Sequence, residues 1–96
     1  MKIEFNKNDG TLCVSLEGRL DTFHAPEFES FLQTQAQDVS ELTIDCEKLD
    51  YVSSAGLRVL LSAQKKMKGA LKLTHVQELV MEVFEMTGFV DILAIE

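Results

Sequence analysis

Polar and apolar residues alternate from Lys2 to Lys7, with Ile3 and Phe5 on one face. They alternate again from Thr11 to Glu17, with Leu12, Val14 and Leu16 on one side and Cys13 and Ser15 on the other. A period of two marks half-buried strands. Asn8-Asp9-Gly10 between them tolerates positive φ, so the pair reads as an antiparallel hairpin. Gly18-Arg19-Leu20-Asp21 closes the second strand, and Thr22–Ala25 reads as a loop. Pro26 suits the first turn of a helix, where its missing N–H costs nothing, and Glu27 and Glu29 complement the positive helix end. Phe28, Phe31, Leu32 and Gln35 recur at helical spacing, which predicts a helix to about Gln37.

Leu42–Cys46 is a short third strand, followed by a loop over Glu47–Val52 anchored by Leu49 and Tyr51. The second helix is expected from about Ser54 to Lys68, with Leu57, Leu60, Leu61 and Met67 buried, lysines in its last turn and Gly69 after it. Ala70–His75 alternates again as a fourth strand. Gln77–Thr87 reads as a third helix, with Leu79, Val80, Val83 and Phe84 inward and Gly88 ending it. Asp91–Ile95 is a last short strand. The order β-β-α-β-α-β-α-β predicts an α/β fold: one domain over residues 1–96, a mostly parallel sheet with an N-terminal antiparallel hairpin strand, and three main helices.

The stretch Tyr-Val-Ser-Ser-Ala-Gly-Leu-Arg-Val-Leu-Leu, residues 51–61, stands out within this order. Serine caps helices because its oxygen accepts an N–H that the first turn leaves unpaired. Gly56 permits close approach of backbone or of a partner. A hydroxyl at a helix start also lies at the positive end of the helix dipole, where an added phosphate is tolerated. The same residues therefore fit a plain cap or a phosphorylation site.

Charge sharpens the picture. The chain carries a net charge of −7, which argues against nucleic acid as a partner. From Tyr51 to Val76 there are five bases (Arg58, Lys65, Lys66, Lys68, Lys72) and no acid, whereas Gln77–Glu96 has five acids and no base. The serine-rich stretch thus lies in the only basic third of an acidic chain; a solvated helix face accounts for most of this, and the alternative is a docking surface for an acidic partner or a nucleotide held by one. No run approaches the ~18 apolar residues of a membrane span, and Met1-Lys2-Ile3-Glu4 lacks a signal-peptide core. The expected location is the cytoplasm, without membrane association, where Cys13 and Cys46 are expected as buried, reduced thiols.

Strand ends in open α/β sheets gather functional residues, which makes Asp21, Asp45, Asp50, Ser53 and Ser54 candidate neighbours. Enzyme readings find little support among them. A phospho-acceptor receiver needs a lysine near its last strand, and Asp91–Glu96 has none. A Ser-His-Asp triad would need Ser54 beside His24 or His75, and no Gly-x-Ser-x-Gly elbow surrounds Ser54. Zinc-ligand spacing and a Gly-x-x-x-x-Gly-Lys cradle are both missing. No catalytic residue, cofactor or metal is expected.

Leu42–Leu61 resembles the signature of the STAS domain, as found in bacterial anti-sigma factor antagonists. Gly18-Arg19-Leu20-Asp21 is similar to that family's Gly-x-Leu-Asp segment, and Thr87-Gly88-Phe89 to the Thr-Gly-hydrophobic end of its last helix. The family pattern, Asp-Ser-(Ser/Thr/Ala)-Gly-Leu, puts Ser54 at the phosphorylated position and Ser53 at the Asp position, with Ser53 as an alternative acceptor. The resemblance implies a partner switch. The unmodified domain binds an anti-sigma factor that is also a serine kinase of the histidine-kinase-like ATPase fold. Phosphorylation releases it, and a metal-dependent serine phosphatase resets the switch. Asp21, Thr22, His24, Ser53, Ala55, Gly56 and Arg58 are then the candidate partner-binding residues. The second reading is a permanent structural subunit of another complex, such as a lipid-transport ATPase, needing no phosphorylation.

Overall fold

A computed structural model describes all residues, 1–96. Strands β1 (Lys2–Asn8) and β2 (Thr11–Leu20) form the hairpin, with Asp9 and Gly10 at positive φ in its turn. Helix α1 (Ala25–Gln35) leads to β3 (Glu41–Val52), α2 (Ser54–Lys66) to β4 (Leu71–Thr74), and α3 (Glu78–Thr87) to β5 (Ala94–Ile95) through a single 3₁₀ turn at Phe89–Asp91. The sheet order is β1-β2-β3-β4-β5, antiparallel at β1/β2 and parallel elsewhere.

The expected loop Glu47–Val52 is instead the second half of β3. Buried positions along this strand are Leu42, Ile44, Cys46, Leu49 and Val52, so the spacing changes from two residues to three. Each step of three carries an extra residue: Asp45 and Lys48 oppose Ser15 and Glu17, and Leu49 and Tyr51 oppose Gly18 and Arg19. Such bulges keep the apolar side chains inward while breaking the alternation that marks a strand in sequence. Tyr51, expected as an anchor, is exposed, with the Arg19 guanidinium 4.2 Å from its ring centroid.

Every parallel crossover advances one strand in the same direction. Right-handed crossovers of that kind bring all three helices over one face of the sheet. Leu12, Val14, Leu16, Ile44, Leu71 and Leu73 on that face are essentially inaccessible, with Phe28 of α1, Leu60 of α2, and Val80 and Phe84 of α3 closing over them. The other face is open, which is why Cys13 is exposed rather than buried, while Cys46 faces the core. Burial pushes the Cys46 thiol up to about 12, helped by the charge of neighbouring Asp45.

Helix details differ modestly from expectation. α1 ends at Gln35, and α2 at Lys66, with Lys68 and Gly69 turning the chain through positive φ. Val59 and Ala63 are buried in α2 alongside Leu57 and Leu60, whereas Leu61 is only half-buried. In α3 the buried line is Val80 and Phe84; Leu79 points to solvent.

Candidate functional site

The start of α2 is clamped to the end of β2. The Ser53 N–H donates to the Leu20 carbonyl at 2.9 Å, and Ser53 Oγ accepts the Gly56 N–H at 3.2 Å. Ser53 is thus a working N-cap, buried at 9% exposure. Gly56 is buried over Leu20: a Cβ there would lie 2.7 Å from the Leu20 carbonyl oxygen. Both residues were expected at a partner surface, yet both face inward, because the helix start is packed directly on the strand end. Ser54, the first helical residue, is exposed. It opens the N-terminal turn of a helix whose first turn holds no acid.

The β2–α1 loop lies against the same strand end and is held by Asp21. Its Oδ1 accepts the His24 backbone N–H at 2.9 Å and contacts His24 Nδ1 at 2.8 Å. Its Oδ2 is 3.9 Å from Arg19 Nε. The backbone hydrogen bond from His24, with the ring beside it, holds the Asp21 carboxyl below its usual range. This staple presents Phe23, 84% exposed, with its ring edge-on to His24 at 5.0 Å. Phe23 did not emerge from sequence reasoning; an aromatic residue in a short polar loop was the signal available.

Thr22, Ala55 and Arg58 come together. With Ala25, Pro26, Glu29 and Val59 they line a groove of about 370 Å³ between the starts of α1 and α2. Arg58 is exposed, forms no ion pair within the domain, and lies four residues beyond Ser54.

Other candidates lie elsewhere. Asp45 is not at the rim, because β3 continues seven residues beyond it; it sits on the open face of the sheet. There Asp45 Oδ1 is 3.2 Å from His75 Nδ1, and Glu47 completes a set of ligand-type atoms within 4.8 Å of one another. These three residues are the place where a cation could be held. Asp50 faces Gln77, whose Nε2 donates to the Glu47 carbonyl at 2.7 Å and lies 3.5 Å from Asp50 Oδ1. His24 and His75 each contact an aspartate through Nδ1, but neither forms a hydrogen bond with Ser54, so no Ser-His-Asp relay runs to that hydroxyl.

A staple at the end of β2, a buried cap and an exposed serine thus meet around the start of α2. The STAS domain family model matches residues 2–96. The chain belongs to the STAS domain family. Among its relatives is BtrV of Bordetella bronchiseptica, named as a candidate anti-sigma factor antagonist. It is 38% identical over 96 residues, covering 96% of this chain and 83% of the relative. The anti-sigma-B factor antagonist of Bacillus subtilis is 29% identical over 98 residues, covering 99% of this chain and 90% of the relative. The Bacillus cell fate determinant SpoIIAA in its phosphorylated form shares the STAS fold seen here. Its TM-score is 0.75 at 16% identity, covering 99% of this chain and 91% of that one. No helix of this STAS domain is long and apolar enough to cross a membrane.

Proposed function

We propose that this STAS domain is an anti-sigma factor antagonist controlled by phosphorylation of Ser54. The unmodified rim, comprising the Asp21-stapled loop, Thr22, His24, Ala55 and Arg58, binds an anti-sigma factor that is also a serine kinase of the histidine-kinase-like ATPase fold. The kinase moves the γ-phosphoryl group of ATP to Ser54 Oγ, leaving ADP, and then releases the domain. A metal-dependent phosphatase hydrolyses the phosphoserine to serine and inorganic phosphate. In this reading the chain acts by binding, and the ATP chemistry belongs to its partner.

The observation that carries the proposal is the division of labour between adjacent serines. Ser53 is buried and its oxygen is committed to the cap, whereas Ser54 is exposed beside it. A phosphate adds about −1.5 to −2 charges. On Ser54 it would meet unpaired N–H groups of the first turn and lie one helical turn from Arg58, so the domain itself tolerates it. Against a partner the same charge is desolvated, and a loss of ~3 kcal/mol weakens binding more than a hundredfold.

Incubation with ATP and a candidate partner kinase of the histidine-kinase-like ATPase fold, read by mass spectrometry and calorimetry, tests this. Wild type and Ser53→Ala should gain one phosphate on Ser54, and Ser54→Ala none. Ser54→Asp should bind the kinase at least about tenfold more weakly than wild type. Modification at Ser53, or a phosphorylated domain that still holds the kinase tightly, would refute the proposal.

A further inference from the structure

Helix α3 carries two apolar lines where the core needs one. Val80 and Phe84, four residues apart, are wholly buried under the sheet. Leu79, Val83 and Met86, at spacings of four and three, form a second line rotated toward solvent. Leu79 is 66% and Met86 86% exposed, and Val83 is half-buried. Val90 and Ile92, in the turn that follows, are exposed as well.

Beside that line runs a third, Glu78, Glu82 and Glu85, with the same spacings. Like charges at such spacings repel one another and destabilise a helix. Glu85 also lies in the last turn, at the negative end of the helix dipole, where no base offsets it. No lysine or arginine occurs from Gln77 to Glu96. The domain therefore keeps Leu79 and Met86 exposed beside Val83, which packs at the edge of the core, and an acidic line of which only Glu78, in the first turn, suits the helix dipole.

We infer that this face of α3 docks a cationic amphipathic segment of a partner protein. The apolar line would receive its hydrophobic stripe, and the three glutamates its lysines or arginines. Charge disfavours other occupants. Nucleic acid and anionic membranes are repelled by the acidic line, and a second copy would oppose glutamates to glutamates. The surface is also distinct from the switch. Helix α3 starts just past the carboxyl end of β4, the same end of the sheet as Ser54, and runs away from it, so that Met86, Val90 and Ile92 lie toward the opposite end, where β5 begins. Docking there is independent of whether Ser54 is modified.

The probe is a synthetic helical peptide of about 18 residues with leucines on one face and lysines on the other, beside a scrambled peptide of identical composition. Titrated into isotope-labelled full-length protein, the amphipathic peptide should shift amide resonances of residues 78–92 and leave Ser54–Arg58 unmoved. Leu79→Ser with Met86→Ser should weaken binding at least about tenfold while lowering the melting temperature by no more than a few degrees, the small cost of serine in a helix, since both side chains are largely exposed. Raised salt should weaken it too. Equal binding of the scrambled peptide, shifts centred on the Ser54 rim, or unchanged affinity in the double variant would each overturn the inference. So would a marked loss of stability in that variant, self-association through α3, or preference for anionic vesicles over the peptide.

Discussion

Replacing Gly56 by alanine separates two physical effects of opposite sign. Gly56 lies within α2 in ordinary helical conformation, where alanine gains about 1 kcal/mol over glycine. The new methyl, however, would lie 2.7 Å from the Leu20 carbonyl oxygen, 2.8 Å from Leu20 Cγ and 3.0 Å from Val52 Cγ2. Two of these atoms belong to Leu20, a residue with no accessible surface, so they cannot swing aside. Overpacking of this kind costs about 1–3 kcal/mol or more. The Leu20 oxygen is also the acceptor of the Ser53 N–H, and a shift that weakens that bond costs about 1–3 kcal/mol further. The net expectation for Gly56→Ala is a destabilisation of about 2–4 kcal/mol, or a melting temperature lower by about 10–25 °C for a domain of this size. Gly69→Ala is the control. Nothing lies within 4 Å of its added carbon, and its φ of +87° charges only the backbone, about 1–2 kcal/mol. Thermal and urea unfolding of both variants measures the difference. If Gly56→Ala is neutral, or milder than Gly69→Ala, helix propensity outweighs the clash and the clamp between α2 and β2 does not position Ser54.

Two further outcomes follow from single groups. Asp21→Asn should destabilise the domain at neutral pH by loosening the His24 staple. Because the Asp21 carboxyl is held below its usual range, that stabilisation is fully present above the ordinary carboxylate value of about 3.9 and is lost as pH falls through the lowered one. Urea unfolding from neutral to strongly acidic pH should therefore show wild type and variant converging at the acid end; a gap that persists there argues against a charged staple. For the thiols, a maleimide should modify Cys13 in the native protein and reach Cys46 only on unfolding, because Cys46 is buried with its thiol raised to about 12. Native labelling of both would contradict the packing of β3.

The hairpin and the start of α2 were legible because local chemistry decides them: clean alternation around Asn8-Asp9-Gly10, and hydroxyls before an apolar helical run. The second half of β3 was not. Its two bulges replace a period of two with steps of three, and Leu49 and Val52 look like loop anchors unless the opposing strand is known. α3 fails differently. Its period reveals two apolar lines but not which one faces the sheet: Leu79, expected inward with Val80, Val83 and Phe84, points to solvent, while Val83 packs at the edge of the core. That choice is made by tertiary packing alone. The roles of Asp21 and Gly56 were half-read: their position near the serines followed from the order of elements, but their inward engagement with His24 and Leu20 depends on distances no sequence states.

The exchange at position 53 also has electrostatic content. The STAS signature that Leu42–Leu61 resembles has Asp before the phosphorylated serine, and Asp and Ser are comparable N-caps. Ser53 preserves the acceptor for the Gly56 N–H while removing a carboxylate. With no acid elsewhere in the first turn of α2, a phosphoryl group on Ser54 would meet the helix N-terminus and Arg58 without a like charge on the adjacent residue. The cost of the modification within the domain falls, while its repulsion of a partner is untouched. In the proposed switch, whose force is exerted between molecules, Ser53 therefore weakens neither half.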